Sequence, residues 1–165
     1  MTVWWITLAS SYLLCLVAGM NAKTVYSNGY YTKKYNKFFS FMSVAILVLV
    51  AGLRSGIGDT PTYIQGYKTD APSTIAGSIK LLFSGKKDAG FYFYQGILKS
   101  IVNNPNVFIF VTSLITIVLI FITYYKYSQL LELSVFLFIT TGCYLVTMNG
   151  IRQYLASAIL FFCFH

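Results

Sequence analysis

Residues 107–125 read Val-Phe-Ile-Phe-Val-Thr-Ser-Leu-Ile-Thr-Ile-Val-Leu-Ile-Phe-Ile-Thr-Tyr-Tyr, nineteen in a row without a charge. A helix of that length rises close to the ~30 Å of a bilayer's hydrocarbon layer, so the run is read as a membrane span. Asn104 and Pro105 precede it. They are a capping side chain and the residue whose fixed φ and missing N–H suit the first helical position. Three more uncharged runs cover 2–20, 38–53 and 133–151. The run 38–53 is short and needs Lys37 and Arg54 as snorkelling ends. The run 2–20 has no Lys or Arg before it and is too long for a signal-peptide core, so it too is read as a span. Trp4, Trp5 and Tyr12 in it read as interfacial and bundle-facing aromatics.

A last apolar run, 153–165, has 13 residues and is read as a fifth helix cut short. The expectation is an all-α, polytopic helical bundle in one transmembrane domain that is a fragment of a longer protein. Its spans are placed at about 2–20, 38–53, 107–125 and 133–149, with an incomplete one at 152–165.

Composition agrees with that solvent. The chain has 165 residues, 57% of them hydrophobic and 10% charged, too few charges to clothe a soluble domain. Lys and Arg outnumber Asp and Glu by 12 to 4, for a formal net charge of +8. Most of the basic residues lie between the apolar runs, where they set topology or meet anionic lipid or substrate; nucleic acid is not an expected partner. Cys15, Cys143 and Cys163 sit inside apolar runs and His165 is the single histidine, so neither a disulfide framework nor a metal site is expected.

Orientation follows from the short loops. Lys23, Lys33, Lys34 and Lys37 fall between the first two runs without an acid, which places that segment in the cytoplasm and the N-terminus outside. Tyr26, Tyr30, Tyr31 and Tyr35 along it read as interfacial aromatics. The segment 54–106 then lies outside, although it carries six basic residues of its own. In it Ile75, Ile79, Leu82 and Phe83 recur at helical spacing, as do Phe91, Tyr94, Leu98, Ile101 and Val102. Both read as amphipathic helices on the membrane surface or tucked into the bundle.

Two polar clusters fall at that same outer face. One is Arg54-Ser55-Gly56-Ile57-Gly58-Asp59-Thr60-Pro61-Thr62-Tyr63, and the other Met148-Asn149-Gly150-Ile151-Arg152-Gln153. Arginine beside a glycine-rich turn suits a diphosphate: the guanidinium is a rigid fork of donors, and glycine lets backbone N–H groups approach the oxygens. Either arginine alone reads as readily as a helix-end anchor in the headgroup zone. Asp59 is positioned to orient Arg54, to act as a base toward a sugar hydroxyl, or simply to cap a turn. Asp88 is most simply a helix N-cap, and Glu132 structural. Asn149 and Gln153 are expensive in lipid unless hydrogen-bonded, so they join helices or line a polar cavity.

The order of Arg54, Gly58, Asp59 and Tyr63, then Asp88-Ala89-Gly90-Phe91-Tyr92, then Asn149-Gly150-Ile151-Arg152-Gln153-Tyr154-Leu155-Ala156 resembles the EpsG family. These are Wzy-like, multispanning polymerases of exopolysaccharide and capsule synthesis. The likeness runs along essentially the whole chain, over about the N-terminal half of such a protein. It implies a membrane part similar to that of GT-C-like glycosyltransferases, working at the outer face of the cytoplasmic membrane. There a glycan on polyprenyl diphosphate would pass, with inversion and without metal or cofactor, to a lipid-linked repeat unit. On this resemblance Arg152 and Asp59 are the catalytic candidates. Arg54, Asn149, Gln153, Tyr63 and Asp88 are the substrate-binding ones. The partners are a polyprenyl-diphosphate-linked oligosaccharide, membrane lipid and other polysaccharide-export proteins. Three alternatives stand beside it: a transporter or flippase for a lipid-linked anion, a structural or vestigial membrane subunit, and a ligase of finished polymer.

Overall fold

In the computed structural model, which describes residues 2–20, 22–27, 30–83, 85 and 87–164, the chain is built almost entirely of helices. The N-terminal helix α1 (Thr2–Met20) leads into a hairpin of β1 (Lys23–Ser27) and β2 (Tyr30–Lys34), then α2 (Lys37–Gly52). Three short helices follow, α3 (Thr60–Thr69), α4 (Ile75–Leu82) and α5 (Ala89–Ile101). The chain then returns through α6 (Pro105–Tyr127), α7 (Leu131–Thr140), α8 (Cys143–Asn149) and α9 (Ile151–Cys163).

Among the described residues, α1 and α6 are long and apolar enough to cross a membrane, and α7 with α8 together make a third candidate. Helices α2 and α9 are apolar but shorter. Asn104 caps α6 by accepting from Asn106 N–H at 2.9 Å, with Pro105 as first helical residue.

Helix α6 is the hub. It packs against α2 and α9 along its length and touches α3, α5, α7 and α8. Its inward stripe carries Thr112, Ser113, Thr116 and Thr123 among Ile109, Ile117, Ile120 and Phe121. Thr112 and Thr123 each donate to the carbonyl four residues back, which lets hydroxyls lie in an apolar core without an open donor. The α1–α2 seam uses small residues for close approach. Cys15 Sγ donates to Ser43 Oγ at 3.2 Å, and Ser43 Oγ donates to the Ser11 carbonyl at 3.0 Å.

The fourth apolar run, read in the sequence as a span at 133–149, is broken within its length. Helices α7 and α8 meet at a bend of 56°. Gly142 takes φ +81° at the break, a conformation that a Cβ would disfavour. Thr140 and Thr141 donate to the Phe136 and Leu137 carbonyls at 2.8 and 2.6 Å, giving carbonyls near the break a partner. The Tyr144 hydroxyl then ties α8 to the Leu47 carbonyl of α2 at 2.6 Å.

The basic segment between α1 and α2 is not an irregular loop, because residues 23–27 pair antiparallel with residues 30–34, Lys23 opposite Lys34. Tyr35, after the hairpin, is buried rather than interfacial. Its hydroxyl lies 3.0 Å from the Gln129 carbonyl and 3.3 Å from Glu132 Oε2 and accepts from Leu131 N–H at 2.9 Å.

At the opposite end of the bundle, the described residues between 54 and 104 form a cap with a second small core. Tyr67 stacks on Phe108 with ring centroids 4.7 Å apart and planes 13° from parallel. Ala71, Ile109 and Ile151 are buried with them, and Tyr63, Phe91, Tyr94 and Leu98 pack around. Lys99 donates to the Lys68 and Ala71 carbonyls at 3.0 and 2.8 Å, a cation at the C-terminal end of α3. Helix α5 is thus tucked against α6. In contrast, α4 turns Ile75, Ile79 and Leu82 outward, with Phe83 beyond it 83% exposed, as suits an amphipathic helix lying at an interface.

Candidate functional site

The cap brings the two polar clusters together. Arg54 follows α2 and is 8% exposed. Its Nε–H donates to Thr60 Oγ1 at 2.9 Å, and Nη1 donates to Ser113 Oγ at 2.9 Å and to the Ala51 carbonyl. Nη2 reaches the Met148 carbonyl at 3.2 Å. One side chain therefore joins the end of α2, the start of α3, the first half of α6 and the end of α8. Burial draws its pKa down to about 10, so the guanidinium stays charged at neutral pH.

Gly58, at φ +55°, lies against Asn149: a Cβ built on it would fall 1.6 Å from Asn149 Oδ1. That oxygen is buried and without a hydrogen-bond partner. The turn carrying Asp59 is thus held by Arg54 through Thr60 and by van der Waals contact on the α8–α9 junction. Thr60, not Asp59, is the residue of this turn that bonds the guanidinium.

Arg152, in the first turn of α9, faces α5. Its Nη1 lies 2.5 Å from Asp88 Oδ2, with the two side chains 41% and 28% exposed. Asp88 stands at the N-cap position of α5, but its side chain makes no cap bond. It adopts φ 64°, an uncommon conformation for a residue with a Cβ, while its carboxylate meets Arg152. The cap expected of Asp88 is in this structure an ion pair.

Beside that pair opens a pocket of about 250 Å³, walled by Asp59, Thr62, Tyr63, Asp70, Phe91, Tyr92, Gln95 and Arg152. Of the seven residues singled out in the sequence, Asp59, Tyr63 and Arg152 line it. Asp88 is bonded to Arg152, and Asn149 and Arg54 support the turn behind Asp59. Gln153 is exposed next to Arg152. Three wall residues carried no sequence signal of their own: Asp70 reads as a turn residue before Pro72, Thr62 as part of the Thr-Pro turn, and Gln95 as a helical polar position.

A bundle of apolar helices capped at one end by a pocket with arginine, carboxylates and aromatic rings defines a polytopic membrane protein with a polar site at its cap. The chain belongs to the EpsG family, whose model matches residues 37–165. Membership places it among membrane proteins of polysaccharide biosynthesis. No curated protein and no solved structure matched the chain.

Proposed function

We propose that the protein is a polysaccharide polymerase of exopolysaccharide or capsule synthesis, acting at the outer face of the cytoplasmic membrane. It would transfer a glycan from polyprenyl diphosphate to a sugar hydroxyl of a lipid-linked repeat unit. The observation that carries this reading is the Arg152–Asp88 pair at the wall of a pocket that also holds Asp59 and Tyr63, at one end of an apolar bundle.

In such a transfer the acceptor oxygen forms a bond to the anomeric carbon as the carbon–oxygen bond to diphosphate breaks on the opposite face. The diphosphate departs with the electron pair, and the hydroxyl proton must go to a base. Arg152 has N–H donors beyond the one directed at Asp88, and its exposure lets them meet a diphosphate at headgroup depth, where arginine neutralises developing charge. Asp59, exposed in the same pocket, is the base. Asp88 orients Arg152, Gln153 and Asn149 flank it, and Tyr63 offers a ring face to a sugar. Arg54, whose donors are already directed at four protein oxygens, contributes by holding the turn that carries Asp59.

The test is the lipid-linked glycan profile of cells lacking the gene, complemented with wild type or Arg152→Ala. The expected result is loss of polymer, with single lipid-linked repeats on the outer face, in both the deletion and the variant. Accumulation on the inner face would instead identify a transporter. A profile unchanged by the deletion would leave a structural subunit.

A further inference from the structure

Gln95 is 2% exposed in the middle of α5, and its Oε1 is buried without a hydrogen-bond partner. An unpaired buried amide oxygen has given up its water without gaining a partner, which is costly. A leucine or methionine would fill the same position, among Phe91, Tyr94 and Leu98, at no such cost. The amide is therefore out of place as packing. It is not out of place as a recognition group, because Gln95 also forms part of the wall of the 250 Å³ pocket. Rotation about its terminal torsion, which is soft, exchanges the oxygen and the NH2 group and presents either to a bound molecule.

The lining of the pocket points to the chemistry of that molecule. The pocket's volume of about 250 Å³ has room for one ring, with any further units of a chain outside its open mouth. Asp70 and Asp59 supply acceptors for hydroxyl groups, and Tyr63, Phe91 and Tyr92 supply apolar ring surface. Carboxylate acceptors and ring faces in one lining match a pyranose, whose edges carry hydroxyls and whose faces carry C–H groups.

We infer that this pocket is a single-sugar subsite in which Gln95, with Asp70 beside it, reads a ring hydroxyl and sets which sugar the protein accepts. The inference rests on the polymerase reading and adds to it the residues of specificity. Gln95 is not given a part in bond making or breaking. It touches the substrate ring away from the reacting carbon and oxygen.

The experiment uses membranes containing the full-length protein and the lipid-linked repeat unit that accumulates in the deletion strain, together with monodeoxy analogues of that unit. With the wild-type protein, one analogue should be turned over at least about tenfold less efficiently than the parent, since a site built to bond a hydroxyl rejects its absence. With Gln95→Met, which keeps length and removes both polar atoms, the parent should fall to the level of that analogue, and the gap between the two should close. Gln95→Glu, of nearly the same shape, is the second variant and should change the ratio between parent and analogue without abolishing turnover. If Gln95→Met and Gln95→Glu lower every substrate by one common factor, or no analogue is discriminated by the wild type, Gln95 is a packing residue and the inference is overturned. Absence of any turnover by the wild type of repeat units would instead defeat the polymerase reading itself.

Discussion

Arg152 at the start of α9 and Asp88 at the start of α5 are 64 positions apart in sequence and 2.5 Å apart in the structure. The pair joins the cap to the bundle beside the pocket. It is partly exposed, so its contribution to stability is small, about 1 kcal/mol or less. Its effect on activity is expected to be larger. Asp88→Asn, which keeps shape and one acceptor, should lower polymer yield by roughly tenfold while protein in the membrane stays at wild-type level. Arg152→Lys should fare little better than Arg152→Ala, since an ammonium cannot bond Asp88 and a diphosphate with the same fixed fork. Polymer yield against immunoblot of the membrane fraction separates the two effects. Loss of protein in step with loss of polymer would reduce the pair to a structural tie.

Arg54 predicts the opposite balance. Removing its side chain leaves Thr60, Ser113 and the Met148 carbonyl without their buried donor, so Arg54→Ala should destabilise by about 2–4 kcal/mol. Arg54→Lys should recover less than half of that, because a single ammonium cannot span three elements. The pH dependence has a definite sign. The folded-state pKa, about 10, lies below the ordinary arginine value, so the unfolded chain binds more protons only from about pH 10 upward. The stability difference between wild type and Arg54→Ala should be flat from pH 6 to pH 9, as thermal unfolding in detergent would show. A slope in that range would mean that another group is coupled to the guanidinium.

How far the sequence carries depends on where each signal lies. The span at residues 107–125 and its Asn104–Pro105 start are local patterns, and α6 follows them to within two residues at each end. The neighbourhood of the Arg54 and Asn149 clusters was legible from counting spans to one face, and Gly58 does touch Asn149. The break at Gly142 was not, since Thr140-Thr141-Gly142-Cys143 lies within an apolar run and single glycines are common in membrane helices. Helix α3 was hidden by Gly58-Asp59-Thr60-Pro61, which reads as a turn although Pro61 also marks a helix start. The pairing of β1 with β2 lay under a run of lysines and tyrosines that reads first as an interfacial segment. Asp70 and Gln95 reach the pocket only through the packing of α3 and α5 on Phe108, a tertiary fact with no local trace.

The glycine turn offers a paired test. Gly56 and Gly58 both have positive φ, at 79° and 55°, but a Cβ on Gly56 meets nothing within 4 Å, whereas one on Gly58 runs into Asn149. Gly56→Ala should therefore cost only backbone strain, about 1–2 kcal/mol. Gly58→Ala should cost that plus about 1–3 kcal/mol of overpacking. Adding Asn149→Ala should recover the second part and not the first, so the two changes should be non-additive in thermal unfolding. Equal effects of the two alanines would show that the turn yields freely and that Asn149 does not brace it.

Tyr35 tests the other end of the bundle. Its hydroxyl accepts from the N–H of Leu131, the first residue of α7, where no intrahelical acceptor exists, and it also reaches the Gln129 carbonyl and Glu132. Tyr35→Phe keeps the ring and removes those bonds, for an expected loss of about 1–3 kcal/mol. Burial raises the phenol pKa above its ordinary 10, with the Glu132 carboxylate acting in the same direction. A raised folded-state pKa means that this stabilisation is complete below the unfolded value and is lost as pH rises through the folded one. The advantage of wild type over Tyr35→Phe should hold steady up to about pH 9 and shrink above pH 10. Hydrogen exchange should show the loss concentrated at residues 128–133 rather than spread through α6, because the hydroxyl ties down the start of α7 and contributes little to the apolar seam behind it.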